Sequence, residues 1–134
     1  MTEFTVGLGC DRGAALQTVR DAVGCALAEA GALPGQVVAA ASITLKRDEA
    51  ALLAFAQEHG WPLHFYPPEE LAVVPVPNPS ETVRRYTGTP SVSEAAALLA
   101  AGPETPMTAL VVEKFKLRGV DNRNVTVSIA RKIK

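Results

Sequence analysis

The sequence predicts an α/β domain: a three-layer α/β/α sandwich around a mixed, mostly parallel sheet of about five strands, with a C-terminal antiparallel hairpin. Three observations carry that prediction. Strand-like apolar runs alternate with amphipathic stretches over the first hundred residues, the pattern of right-handed β-α-β crossovers. Alanine and valine dominate an apolar fraction of 48%, while aromatics make up 5%, which suits elements packed closely through small side chains. The last two strand-like runs are joined by a short polar segment containing glycine, as in a hairpin. A length of 134 residues suits one domain, 1–134.

Each element has its own local reason. EFTVGLG (3–9) reads as the first strand. From Gly13 to Gly31 the apolar positions Leu16, Val19, Val23, Ala26, Leu27 and Ala30 recur at three and four residues, a helix stopped by Gly31 and Pro34. QVVAAASI (36–43) is a continuous apolar run of the buried-strand kind. Residues 47–59 read as a helix with Leu52, Leu53, Phe55 and Ala56 inward, ended by Gly60. WPLHFY (61–66) is a short third strand whose Pro62 sits at its start, where no ladder donor is needed. Six of the ten prolines fall between Pro67 and Pro90, which predicts a loop with one helical turn around SETVRRY. An alanine-rich helix covers 91–101, and MTALVVEKF (107–115) and NVTVSIAR (124–131) are the closing strands.

A net charge of −1 supplies no global field for nucleic acid. No run approaches the ~18 apolar residues that span a bilayer. No signal peptide is visible, so a cytoplasmic protein with reduced thiols, and no membrane partner, is expected. Seven of the thirteen basic residues lie in the last 21 positions. Those from Arg131 to Lys134 read as a solvated tail, whereas Lys114 and Lys116 alternate along a strand.

The loop VGLGCDRG (6–13) invites a nucleotide reading and fails it. Gly9 and Gly13 enclose three residues where the dinucleotide fingerprint needs two, and no Gly-Lys-Ser/Thr follows. Cys10 at a strand-to-helix turn would have a lowered pKa, but only His59 and His64 are available as bases and neither is tied to it. It reads as a small residue packed in a tight turn, and Cys25 as incidental. The two histidines share no helical face, so no metal and no cofactor is expected. Lys46 and Arg47 stand where a strand hands over to a helix, opposed by its dipole. Either an anionic ligand offsets that cost, or they pair with Asp48 and Glu49. Ser91 and Glu94 form a capping-box pattern behind Pro90, with Gly102 as terminator.

These loops share a geometry, because ligands of open α/β sheets bind beyond the carboxyl ends of the strands. One rim is expected to collect Arg12, Lys46, Arg47, Lys114 and Lys116 for a ligand with several carboxylates or phosphates, with 67–90 as one wall.

The succession GLGCDRG (7–13), ASITLKRDEAALLAFA (41–56), PSVSEAAALLAAG (90–102), VVEKFK (111–116) and NVTVSIAR (124–131) resembles the CobE family, also the C-terminal domain of CbiG-type cobalamin-biosynthesis proteins. The resemblance implies a role in building the corrin ring of vitamin B12, as a binder or carrier of a precorrin-type corrinoid. Other corrin-biosynthesis enzymes would be its protein partners. CbiG-type proteins open a lactone ring on a cobalt-precorrin and release acetaldehyde, which makes a precorrin lactone hydrolase the alternative, with Glu49 or Glu94 as base or Cys10 as nucleophile. A regulatory or nucleotide-binding α/β module is the third reading. The candidate binding residues are Gly9, Cys10, Arg12 and Gly13 after the first strand, and Thr44, Lys46, Asp48 and Glu49 after the second. Ser91, Ser93 and Glu94 at a helix start, with Lys114 and Lys116 on a later strand, complete the set.

Overall fold

Strand β1 (Glu3–Cys10) explains the layering by its alternation. Phe4, Val6 and Leu8 point to one face of the sheet and Thr5, Gly7 and Gly9 to the other. In the computed structural model, which describes residues 1–132, the large side chains pack under α1 (Leu16–Ala30) and α2 (Ala50–His59). That core joins Phe4, Val6 and Leu8 to Val19, Val23, Leu27, Leu52, Phe55 and Trp61. Each fully buried side chain of this size stabilises the fold by roughly 1.5–3 kcal/mol.

The opposite face is built for close approach. Helix α5 (Val92–Ala101) lies on it, with Ala95, Ala96 and Ala97 fully buried. A Cβ on Gly7 would stand 1.9 Å from the Ser93 carbonyl oxygen and 2.7 Å from the Ala97 nitrogen. Only glycine leaves room for the helix there. The Thr5 hydroxyl donates to the Ala97 carbonyl at 2.7 Å, tying the helix to the same strand. Ala41 and Ile43 of β2 (Val37–Ile43), Leu71 of α3 (Pro68–Ala72), Val92, Ala95 and Ala96 complete one cluster on this face.

The sheet order is β3-β2-β1-β5-β4, with β3 (Leu63–Tyr66), β4 (Leu110–Arg118) and β5 (Asn124–Lys132). Strands β1, β2 and β3 pair in parallel; β5 runs antiparallel between β1 and β4. The hairpin is therefore present, but its second strand is interior and its first is the edge. Four strands consequently end at the same side of the sheet. No helix among the described residues is long and apolar enough to cross a membrane.

Boundaries differ from the sequence expectation where tight turns intervene. Arg12 and Gly13 form a turn, and α1 starts only at Leu16. Thr44–Lys46 form a 3-10 turn and α2 starts only at Ala50, so Lys46 and Arg47 precede the helix and do not oppose its first turn. The segment 67–90 holds two short helices, α3 and α4 (Glu81–Thr87), the second matching SETVRRY. Another 3-10 turn, Met107–Ala109, precedes β4, and Asn122 adopts φ 64° in the hairpin turn. Arg131 and Lys132 are exposed; Lys134 lies outside the described residues.

The Gly7 contact makes a direct prediction. Gly7→Ala is expected to lose about 3 kcal/mol or more in urea unfolding, because backbone atoms of α5 must move. Gly9→Ala, whose Cβ would meet nothing nearer than 3.9 Å, is expected to stay close to the parent. Equal stabilities for the two variants would contradict the packing described.

Candidate functional site

Beyond the carboxyl ends of β1, β2 and β4 lies a cavity of about 560 Å³, within the range of small-molecule sites. Its floor is formed by Gly9 and Cys10 of β1, Ile43 of β2, Lys114 and Lys116 of β4, and Asn124 and Thr126 of β5. Helix α4 forms a wall with Thr82, Val83, Tyr86 and Thr87, and Ser91, Val92 and Ser93 enter from the start of α5. Asp11, Arg12, Lys46 and Ser80 complete the rim.

Several expected residues meet here. Gly9, Cys10, Arg12, Lys46, Ser91, Ser93, Lys114 and Lys116 line the cavity. Gly13, Thr44, Arg47, Asp48, Glu49 and Glu94 are not part of the lining: Glu49 and Glu94 are buried, and Gly13, Arg47 and Asp48 are exposed. His59 stacks on Trp61 at 4.6 Å and His64 is exposed on β3, so neither contributes. Among the described residues, no group of three His, Cys, Asp or Glu side chains suits a metal ion.

The cations differ in how free they are. Arg12 is clasped: it donates to Asp48 at 2.7 Å and to the Leu45 carbonyl at 2.7 Å, and it pairs with Glu49 at 2.9 Å. Asp48 and Glu49 therefore serve Arg12, not Lys46 and Arg47 as the local reading allowed. The Arg12 hydrogen bond holds the exposed Asp48 carboxyl below its usual pKa, in a setting where water screens most of the energy. Glu49, 3% exposed, also accepts the Gly13 N–H on both oxygens at 3.1 and 3.3 Å. Arg123 donates to the Arg12 carbonyl, and Asn124 donates twice to Asp11. The loop after β1 is thus fixed from both sides. Lys46, Lys114 and Lys116 are the ammonium groups lining the cavity, Lys114 also donating to the Asn78 backbone carbonyl.

Behind the floor lies a buried polar cluster. Ser91 does not cap α5 through its side chain; its hydroxyl donates to Glu94 at 2.7 Å, so the capping-box geometry is not formed. Glu94 is fully buried and accepts a second bond from Asn78 at 2.6 Å. The same Asn78 amide donates to Glu113, and its carbonyl accepts from Lys114 at 3.3 Å. These contacts hold the proline-rich segment, and with it the entry to α4, against α5 and β4.

The sequence places one helical turn around SETVRRY and makes 67–90 a wall, but local reasoning singles out none of the residues of the α4 lining. Its signals were present: Ser80 accepts the Val83 N–H as N-cap, and Gly88 closes the helix at φ 83°. Positions 82, 83, 86 and 87 then share one helical face.

Cys10 packs at the end of β1, and burial pushes its thiol up to about 11, opposite to the lowering expected beside a helix N-terminus. The helix starts six residues later, too far to act on the thiol. At pH 8 the Cys10 thiolate fraction is about one in a thousand. Iodoacetamide labelling at that pH, followed by peptide mass spectrometry, is expected to modify the exposed Cys25 well before Cys10. Cys10 labelling should rise about tenfold per pH unit above pH 8 and level off only near pH 11; preferential modification of Cys10 at pH 8 would contradict its burial.

Residues 4–130 match the family described as cobalamin synthesis G C-terminus. The chain is 38% identical over 127 residues to a cobalt-precorrin-5A hydrolase of Priestia megaterium, covering 95% of this chain but 32% of that protein. It is 40% identical over 114 residues to Protein CobE of a Sinorhizobium species, covering 84% of this chain and 72% of the relative. The crystal structure of CobE, a protein from the cobalamin biosynthetic pathway, superposes with a TM-score of 0.73 at 30% identity, covering 98% of this chain and 92% of that one. Cobalamin biosynthesis protein chiG from Agrobacterium tumefaciens gives 0.63 at 30% identity, covering 93% and 96%. This chain, with its five-stranded mixed sheet, belongs to the cobalamin synthesis G C-terminal family and is a cobalamin-biosynthesis protein of the CbiG/CobE type.

Proposed function

We propose that the chain binds a carboxylate-rich corrinoid or precorrin intermediate in the strand-end cavity and acts as an accessory or carrier protein in corrin ring synthesis. The observation that carries this reading is the pairing of ammonium groups with an apolar wall in one cavity. Lys46, Lys114 and Lys116 suit the acetate and propionate edge of a tetrapyrrole through charge-assisted bonds. Val83, Val92 and Tyr86 offer contact to the ring itself. Family membership supports the pathway, and the charge pattern supports the ligand class.

A second reading, ester or lactone hydrolysis, is favoured by the 38% identity to a precorrin hydrolase, of which this chain spans about a third. The groups it would use are committed elsewhere. Glu49 is bound by Arg12 and Gly13, Glu94 by Ser91 and Asn78, and Cys10 is protonated at neutral pH. Incubation with a lactone-bearing intermediate and an assay for acetaldehyde separates the readings, with no product above blank expected for a binder.

Titration with hydrogenobyrinic acid, followed by absorbance, tests the binding reading. A saturable spectral change at tens of micromolar or below is expected, weaker at high salt because exposed charges are screened. Lys114→Ala and Lys116→Ala should each weaken binding roughly twofold to tenfold. Arg131→Ala, at the far end of β5, should leave it unchanged. Absence of any change with the parent protein would overturn the proposal.

A further inference from the structure

The geometry points to Tyr86 as the platform on which the ligand's flat conjugated ring rests, and so as a residue that selects a macrocycle over other polycarboxylates. This inference rests on the binding reading above and adds to it a specificity-determining residue. Three observations converge on this side chain.

The first is its position on α4. Thr82, Val83, Tyr86 and Thr87 share the face that lines the cavity, while Glu81 and Arg84 pair with each other at 3.3 Å on the outer side. The inward face of an amphipathic helix is ordinarily buried by its neighbours. Here none of the helix is buried, and Tyr86 remains 78% exposed while lining the cavity. Such a side chain contributes little to the packing of the fold, so stability does not explain it.

The second is its singularity. Phe4, Phe55 and Trp61 are buried in the core on the far face of the sheet, and Phe115 packs against that core. Tyr66 is half-buried against the α5 cluster. Tyr86 is the aromatic side chain that lines the cavity. Tyrosine brings a large rigid surface with few rotatable bonds, which makes it an efficient contact for a flat ligand.

The third is that α4 is fixed. Ser80 caps it, Thr87 donates to the Val83 carbonyl at 2.7 Å, and Gly88 ends it with a bond to the Arg84 carbonyl at 2.9 Å. Asn78, just ahead of the cap, is held by Glu94 and Glu113. The ring is therefore presented by an anchored helix above a floor carrying Lys114 and Lys116. A planar ligand with charged edges satisfies both at once; a flexible polycarboxylate uses only the lysines.

Uroporphyrin I, a flat conjugated octacarboxylate, and 1,2,3,4-butanetetracarboxylate, a saturated one, separate these contributions. Fluorescence titration of uroporphyrin is expected to give Tyr86→Phe within about twofold of the parent. Tyr86→Ala should bind about tenfold weaker or more, the scale of aromatic stacking losses. Displacement by butanetetracarboxylate should give the same inhibition constant for the parent and Tyr86→Ala. Circular dichroism verifies that Tyr86→Ala is folded, as its exposure leads one to expect. Uroporphyrin binding unaffected by Tyr86→Ala but weakened by Lys114→Ala would overturn the platform and leave the binding reading standing. No uroporphyrin or hydrogenobyrinic acid binding by the parent would overturn both.

Discussion

The direct contact between α5 and the backbone of β1 at Gly7 sets the geometry on which the cavity depends. With 1.9 Å between the Ser93 carbonyl and any Cβ at that position, the helix sits at backbone distance from the strand. Gly9, two residues on, would bring a Cβ to 3.9 Å of Val92, so α5 begins over the carboxyl end of β1. Its first residues thereby reach the rim where β2 and β4 also end. A larger residue at Gly7 would lift the helix and take Ser91 and Ser93 away from the floor. The alternation of large and small side chains on β1 thus decides both which helices cover which face and where the cavity opens.

Two buried carboxylates fix the remaining walls. A buried polar group is tolerated only when its hydrogen-bonding capacity is met, and leaving one unmet costs more than a single bond contributes. Glu49 is met by Arg12 and the Gly13 amide, which joins the loop after β1 to the turn after β2. Glu94 is met by Ser91 and Asn78, which joins the start of α5 to the proline-rich segment leading into α4. Both are buried and neither lines the cavity. Arg12 belongs to the same group: its charge is spent on Asp48 and Glu49, leaving the lysines as the cations offered to the cavity.

Layer order, strand sequence and the strand-end position of the rim were legible because each rests on local periodicity and on a general rule for open α/β sheets. Contacts between distant residues were not. Asp48 stands beside Lys46 and Arg47 in the chain, yet its partner is Arg12, 36 residues away. The Ser91–Glu94 spacing has the pattern of a capping box, but the deep burial of Glu94 draws the Ser91 hydroxyl to the carboxylate. Cys10 is expected in a strand-to-helix turn near a helix N-terminus; β1 runs through it instead, and burial governs its thiol. In 67–90 one helical turn around SETVRRY was legible, but among the prolines neither α3 nor the cavity-facing residues of α4 were, although Ser80 and Gly88 bracket α4 with a cap and a terminator.

The central claim is that a carboxylate-rich tetrapyrrole occupies the cavity between the strand ends and α4. Backbone amide chemical shifts of isotope-labelled protein, recorded with and without hydrogenobyrinic acid, test it most directly. Shifts are predicted at Gly9–Arg12, Thr82–Thr87, Val92–Ser93 and Lys114–Lys116, with α1 and the outer face of α2 unmoved. Perturbations confined to α1, α2 or the hairpin turn around Asn122, with the cavity residues unshifted, would contradict the account.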